Sequence, residues 1–251
     1  MNQRVTDPAL VVIPARMASV RLPNKPLANI HGKPMIVHVW RRAKEANVGP
    51  VIVAAADQAI VDAIEIAGGE GVLTNPNHPS GSDRVWEAVN IYDPDGRYAK
   101  IINLQGDLPT MDTEQIRFVL DLLQPGSVDI STLAAEITEA YEREEPSVVK
   151  AVMYMPPGAR KGRGLYFTRV AAPSGEGPLY HHIGIYQYKI ETLKQFVNLK
   201  QSKKEKMLKL EQMRALENNI KIQVKLIDEI PIGIDTMQDY IDIKKIMSYK
   251  S

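Results

Sequence analysis

No cysteine occurs in the 251 residues, which excludes disulfides, thiolate metal sites and a cysteine nucleophile. An excess of one charge is missing too: 31 Lys and Arg stand against 30 Asp and Glu, for a formal net charge of +1. General nucleic-acid binding favours a strongly basic surface, so the cations here need a local explanation. No apolar run reaches the length of a bilayer span, and the first residues hold no hydrophobic signal core. No membrane segment is expected, and a cytoplasmic protein is. Two familiar phosphate loops are absent as well: the chain has no G-x-G-x-x-G and no G-K-[ST]. What remains is 44% hydrophobic and 24% charged, the composition of an ordinary globular chain. Its length suits one large α/β domain or one domain with a sizeable insertion.

The stretch from Val11 to Leu27, VVIPARMASVRLPNKPL, organises the rest. A β-branched run is expected to form a buried strand that breaks at Pro14. It feeds a loop carrying Arg16, Ser19, Arg21 and Lys25, stiffened by Pro23 and Pro26. A strand followed by a basic loop is the usual first unit of a nucleotide-binding α/β domain. With the glycine fingerprints missing, the cations suit a polyphosphate held by side chains as well as by backbone amides.

His31-Gly32 then reads as a turn, and Pro34 suits the start of a helix from about Met35 to Ala46. Val51 to Ala56 reads as a second parallel strand, with Asp57 as the N-cap of a helix closed by Gly68-Gly69. This βαβ succession predicts a mostly parallel sheet with helices on both faces. The polar loop Thr74 to Arg84 leads into a helix expected from Asp83 to Ile91. Free amides at its start would form an anion site, although the loop taken alone favours a plainly capped helix start. Lys100 to Gln105 is the next strand. Asp107 follows it, where an open parallel sheet builds its site, and Gly106 would let the backbone approach a ligand. Asp107 is either a Mg²⁺ ligand or a turn aspartate before Pro109. Ile116, Val119, Leu120 and Leu123 form another helical stripe, ending at Pro125-Gly126.

Beyond Ser127 the pattern changes, and residues 127–190 are expected to form an antiparallel extension with little helix. Pro156 to Gly164 reads as a surface loop, and Pro173 to Pro178 as a flexible segment. In Tyr180 to Tyr188, strand alternation would place His182, Gly184, Tyr186 and Tyr188 on one face, with a gap at Gly184. Such a face could contact a sugar, or His182 could be a satisfied structural residue. Lys203 to Asn218 reads as one long helix. Met207 and Ala215 bracket Glu211 on it, and Leu208 and Leu216 bracket Gln212. Lys221 to Ile227 reads as a strand. Thr236 with Asp239 then forms a capping box before a terminal helix, an account that does not need Asp235.

A series of motifs in order resembles the CMP-sugar-acid synthetases, and among them the enzymes that activate 3-deoxy-manno-octulosonate (Kdo). They are P-A-R-x-x-S-x-R-L-P-x-K-P-L at residues 14–27, H-x-S-G-S-D-R at 78–84, Q-G-D-L-P at 105–109, L-Y-F-T-R at 165–169, H-I-G-I-Y at 182–186 and L-E-Q-M-R-A-L at 210–216. A final G-I-D-T at 233–236 completes the set. The resemblance implies a nucleotidyltransferase (GT-A-like, Rossmann-like) sheet. It also implies transfer of CMP from CTP to Kdo with release of pyrophosphate, ahead of lipopolysaccharide synthesis. It assigns Arg16, Ser19, Arg21, Lys25, Ser80, Gly81, Ser82, Arg84 and Gln105 to CTP. Arg169, His182, Tyr186, Glu211 and Gln212 go to the sugar, and Asp107 and Asp235 to Mg²⁺. Arg16, Lys25 and the two aspartates would carry the catalysis. The extension at 127–190 would cover the sugar site and help form a homodimer. Leu108, Met237 and Tyr240 depart from the family pattern, which has Glu, Pro and Leu there. A relative acting on 8-amino-Kdo or sialic acid, and a CTP sensor on the same fold, are the rival readings.

Overall fold

The computed structural model describes residues 8–18, 21–120, 122, 128–173, 175 and 177–248. Ser19, the helix end at Leu123 and Pro125-Gly126, and Ser174 and Glu176 of the expected flexible segment lie outside the described residues. The chain divides into two compact units, Met1–Arg117 with Pro231–Ser251, and Phe118–Ile230.

The first unit opens with β1 (Leu10–Ala15), then a 3-10 turn (Lys25–Leu27) and a small hairpin, β2 (Asn29–Ile30) and β3 (Lys33–Pro34). Helix α1 (Met35–Ala46) follows, with β4 (Val51–Ala55), α2 (Gln58–Ile66) and β5 (Glu70–Leu73). After them come α3 (Gly81–Tyr92), β6 (Lys100–Leu104) and α4 (Thr113–Leu120). Apart from the antiparallel β2–β3 hairpin, the strands of this unit run parallel in the order β5-β4-β1-β6. Every residue of β4 is buried, as a parallel strand covered on both faces should be. Helix α1 buries Ile36, Val39, Trp40 and Ala43, the apolar stripe its sequence shows, and ends on Asn47 in the left-handed conformation (φ 52).

Two local expectations are corrected here, and Gly106 gains a reason within the fold. Pro14 does not break β1. Pairing with β6 stops at Val12, but pairing with β4 runs on through Pro14 to Ala15, so the missing proline N–H falls where only one neighbour remains. Helix α3 starts at Gly81, two residues earlier than expected, because Ser80 is the cap and its Oγ accepts from the Asp83 amide at 3.4 Å. Gly106 answers to its own sheet: a Cβ there would lie 2.8 Å from the Pro14 carbonyl oxygen and 3.2 Å from Ile36 Cδ1.

The second unit holds β7 (Ile130–Glu136), α5 (Ala140–Glu144), β8 (Lys150–Tyr154), β9 (Lys161–Thr168) and β10 (Tyr180–Lys189). Next are α6 (Ile190–Asn198), α7 (Lys203–Leu208), α8 (Gln212–Glu217) and β11 (Ile222–Ile227). The strand order is β10-β7-β11-β9-β8, and β8 meets β10 again at Lys150–His181, closing the set on itself. The β7–β11 pair is parallel and the others antiparallel. The expectation of a mostly parallel sheet is therefore corrected to parallel in the first unit and mixed in the second. Half of the expected surface loop at 156–164 is strand, because a Cβ at Gly162 would sit 2.2 Å from the Tyr154 carbonyl oxygen and only glycine lets β9 pass there.

The single helix expected over Lys203 to Asn218 is two. Lys209 turns left-handed (φ 54), and the break is held by a buried ion pair from Arg214 to Glu205 with bonds of 2.9 and 2.6 Å. Helix bracketing of Glu211 by Met207 fails accordingly, and Met207 is 71% exposed. The chain then returns to the first unit and ends in α9 (Met237–Ser248), started by the Thr236–Asp239 capping box. Tyr240 replaces an expected leucine at little cost, since its ring joins the Leu22, Ile30 and Met35 cluster and its hydroxyl donates to the Asn29 carbonyl.

Gly106→Ala is expected to lower stability by about 1–3 kcal/mol, the usual cost of forcing a methyl into a filled site. The urea unfolding midpoint measures it. An unchanged midpoint would mean that the ends of β1 and β6 part freely.

Candidate active site

The two aspartates singled out in the sequence meet on one ammonium. Lys25 Nζ donates to Asp107 Oδ2 at 2.9 Å, to Asp235 Oδ1 at 3.2 Å and to the Ile234 carbonyl at 2.8 Å. Arg21 adds an ion pair to Asp235 Oδ2 at 3.1 Å. Backbone fastening explains why residues so distant in sequence converge. The Ile234 amide donates to the Asp107 carbonyl at 3.0 Å, and Thr110 Oγ1 both accepts from the Ile232 amide and donates to the Ile232 carbonyl. Leu108, where the family has Glu, packs on this segment: a Cβ at Gly233 would touch its Cδ2 at 3.3 Å. Burial disfavours the charged Lys25, but Asp107 and then Asp235 outweigh it and raise its pKa above the ordinary lysine value.

Among the described residues no three His, Asp or Glu side chains gather as a closed metal cage would require. Two part-exposed carboxylates fit a different cation. Mg²⁺ takes one or two protein carboxylates and completes its shell with phosphates and water. The donor set of Asp107 and Asp235 suits that, with Lys25 as the counter-charge between them.

The basic loop is anchored by Asp57. Its position caps α2 as expected, yet its carboxylate makes no cap bond and accepts the Met17 amide at 2.9 Å instead. Exposed Arg16 is held beside that anchor. At the head of α3, a Cβ on Gly81 would lie 3.7 Å from Pro14 Cγ and 4.0 Å from Gln105 Nε2, so the ends of β1 and β6 and the helix start adjoin. Ser80 is spent on capping, with its hydroxyl donating to Asp83 Oδ2 at 2.6 Å. Ser82 is buried and its hydroxyl meets Asn103 Nδ2 at 3.5 Å, so it faces the interior. Arg84, expected at the nucleotide, is 3% exposed and donates to Thr74 Oγ1 and to the Asn75 and Pro76 carbonyls. It holds the loop in shape. Burial, then the nearby Arg16, lowers its pKa.

In the second unit, His182 and Tyr186 are both deeply buried, with ring centroids 5.3 Å apart. No gap opens at Gly184, because the strand is irregular between Ile183 and Tyr186 and the rings pack together. His182 Nε2 lies 3.0 Å from Thr132 Oγ1, and its ring meets Phe167 edge-on. Glu211 acts on Tyr186 in this row: burial and then the Glu211 charge push the Tyr186 hydroxyl well above its usual pKa. Gln212 is buried beside it at the start of α8. Arg169, expected at the sugar, donates to the carbonyls of Leu208, Pro146 and Lys209 and so fastens the end of α7.

Sequence reasoning missed Asp57 as a loop anchor, Thr110 as a latch and the Glu205–Arg214 pair. Asp57 was visible as a cap residue and misled through its partner. The other two depend on contacts that no local spacing encodes.

Burial pushes the His182 pKa down to about 3 and that of His181 to about 4. The unfolded chain takes up these protons near 6.5 and the folded one does not, so stability falls as pH drops below 6.5. At pH 5.5 each such histidine costs about 1.4 kcal/mol. His182→Gln should flatten the dependence of the urea midpoint between pH 7.5 and 5.5, and an equal slope in both proteins would refute this.

The family model described as cytidylyltransferase matches residues 10–222. A 3-deoxy-manno-octulosonate cytidylyltransferase from Rhodospirillum centenum is 58% identical over 92% of this chain and 90% of its own length. The enzyme of that name from Parvibaculum lavamentivorans is 59% identical over 92% of this chain and 89% of its own. A solved CMP:2-keto-3-deoxy-manno-octonic acid synthetase in complex with CTP superimposes with a TM-score of 0.88 at 33% identity, covering 98% of this chain and all of that one. The chain belongs to the cytidylyltransferase family, among the 3-deoxy-manno-octulosonate cytidylyltransferases.

Proposed function

We propose that the chain transfers CMP from CTP to Kdo, releasing pyrophosphate, on a GT-A-like nucleotidyltransferase scaffold. The observation that carries this is the convergence of Asp107 and Asp235 on Lys25, with Arg21 against the second carboxylate. The reaction brings an anionic sugar acid to the α-phosphorus of a polyanion, so fixed positive charge must be in place before the groups meet. Arg16, Arg21 and Lys25 supply it to the triphosphate. The head of α3, with Gly81 and Gln105, offers amide donors to the nucleotide.

Mg²⁺ fits Asp107 and Asp235, and when bound it would acidify the sugar's anomeric hydroxyl and stabilise the leaving pyrophosphate. Lys25 holds the two carboxylates together without it. The triphosphate gives that ammonium a second set of partners, which frees carboxylate oxygen for the cation. In the second unit, Glu211 and Gln212 bind the sugar acid, and the buried row of His182 and Tyr186 backs them. Arg84 and Arg169 act by holding the loops that carry these contacts. The expected homodimer would use the second unit, where Tyr154, Leu165 and Val170 are exposed apolar side chains. The product serves lipopolysaccharide synthesis, in the cytoplasm.

Pyrophosphate release from CTP and Mg²⁺ should appear with Kdo and stay near background with N-acetylneuraminate, while 8-amino-Kdo in a third arm reports how the far end of the sugar is read. Release with N-acetylneuraminate alone would overturn the substrate assignment. Asp107→Asn should cost about 10²–10³ in turnover, the scale of one lost preorganised electrostatic contact. Turnover within a few fold of the parent would remove Asp107 from the mechanism. Glu211→Ala should raise KM for Kdo far more than KM for CTP, whereas equal rises would assign Glu211 to structure.

A further inference from the structure

We infer that the buried Glu205–Arg214 ion pair is a positioning pair for sugar recognition, fixing the turn that presents Glu211 and Gln212. This rests on the reading of those two residues as sugar contacts. The pair spans the break between α7 and α8. Arg214 Nε and one terminal NH₂ grip both Glu205 oxygens, at 2.9 and 2.6 Å, in the two-pronged geometry that sets orientation as well as distance. Both side chains are almost fully enclosed, at 4% and 1% exposed.

The main chain ties the same two residues to the turn between them. Leu210 donates its amide to the Glu205 carbonyl at 3.3 Å, and the Arg214 amide donates to the Glu211 carbonyl at 3.0 Å. Glu205 thus holds the entry to the turn by its backbone and the exit by its carboxylate. Arg169 adds a third hold, taking the Leu208 and Lys209 carbonyls that the left-handed turn at Lys209 leaves free. The far side of the Arg214 guanidinium lies 4.5 Å over the Phe196 ring. Phe196 is in contact with Tyr188, Tyr188 with Tyr186, and Tyr186 with His182. The pair therefore locates Glu211 against the row that the sugar reading also uses.

Stability alone does not call for this arrangement. Well-packed apolar residues of similar volume hold a core at least as firmly as a buried ion pair, and they do so without directional bonds. What they cannot do is set the register of the three-residue turn, 209–211, between the two helices. That difference supplies the test.

Glu205→Leu/Arg214→Met removes both charges together and strands neither. Its melting temperature should fall only by the loss of the Glu205 bond to the Ser202 amide in the capping box of α7, while KM for Kdo rises at least about tenfold, a change of about 1.4 kcal/mol, and KM for CTP stays within about twofold. The milder Glu205→Gln and Arg214→Lys variants keep the shape of the site and should show the same split at smaller size, so the inference remains testable if the double variant does not fold. Kdo KM within about twofold of the parent in the folded variants overturns it, as does an equal rise in both KM values. Glu211→Ala is measured alongside. If Glu211→Ala raises the Kdo KM and the pair variants do not, the positioning role falls while the sugar contact stands. If none of them moves it, the sugar-contact reading itself falls, and the inference with it.

Discussion

One ammonium, shared by two carboxylates, closes the first unit. Lys25 reaches Asp107 across 82 residues of sequence and Asp235 across 210. The backbone latch from Ile234 to Asp107, together with the Thr110–Ile232 pair, brings the carboxylates near one another, and the lysine prevents their mutual repulsion from undoing the latch. Arg21 adds a second cation against Asp235, while the Asp239 carboxylate accepts the Asp235 amide. Opposite charges paired this closely hold one another in place until a ligand competes for them.

The arginines divide by burial into two kinds of work. Arg84, Arg169 and Arg214 are turned inward or half inward and spend their donors on carbonyls and a carboxylate of their own unit. Each fastens a loop or helix end beside a residue that the resemblance assigns to a ligand. Arg16 and Arg21 are exposed at the basic loop and keep their charge toward solvent, Arg21 while paired with Asp235. Sequence alone cannot make this division, because a guanidinium suits phosphate and backbone carbonyl equally well. Burial decides it: an enclosed guanidinium must find its partners in the fold, and once it has them it has little left for a substrate.

What could be read in advance was whatever depends on neighbours in the chain. Helix α1 was legible because Ile36, Val39, Trp40 and Ala43 repeat at helical spacing, and the Thr236–Asp239 cap because both partners lie within one turn. Of the first-unit strands β1, β4 and β6 were legible, while the two-residue β2 and β3 and the short β5, with one buried side chain and no clear period, were not. Where the reading failed, a distant atom had the deciding say. Lys209 leaves the helix because Arg214, Glu205 and Arg169 hold the ends of a break that local propensity does not call for. The glycine at 106 answers to the Pro14 carbonyl. At the site, Asp107 and Asp235 were each ambiguous, a turn residue and a neighbour of a cap, until the resemblance paired them. Their contact through Lys25 is the part that only three dimensions could supply.

The chain's own bases sharpen what it can and cannot contribute to proton movement. His182, the histidine that the resemblance puts at the sugar, is enclosed among Phe167, Tyr186 and Thr132 and has a pKa of about 3. A base that weak takes a proton poorly at neutral pH, so its use lies in the hydrogen bond to Thr132 and in the shape it gives the row. Lys25 is the opposite case, an ammonium whose two carboxylates keep it charged and hence without a lone pair to offer. Tyr186 is buried next to a negative charge and holds its proton firmly. None of these three side chains, one in the first unit and two in the second, is tuned to remove a proton. A sugar hydroxyl that acts as a nucleophile without a neighbouring base needs to be made more acidic by what binds next to it. Under the proposed reading, the oxygens of Asp107 and Asp235 would hold that group.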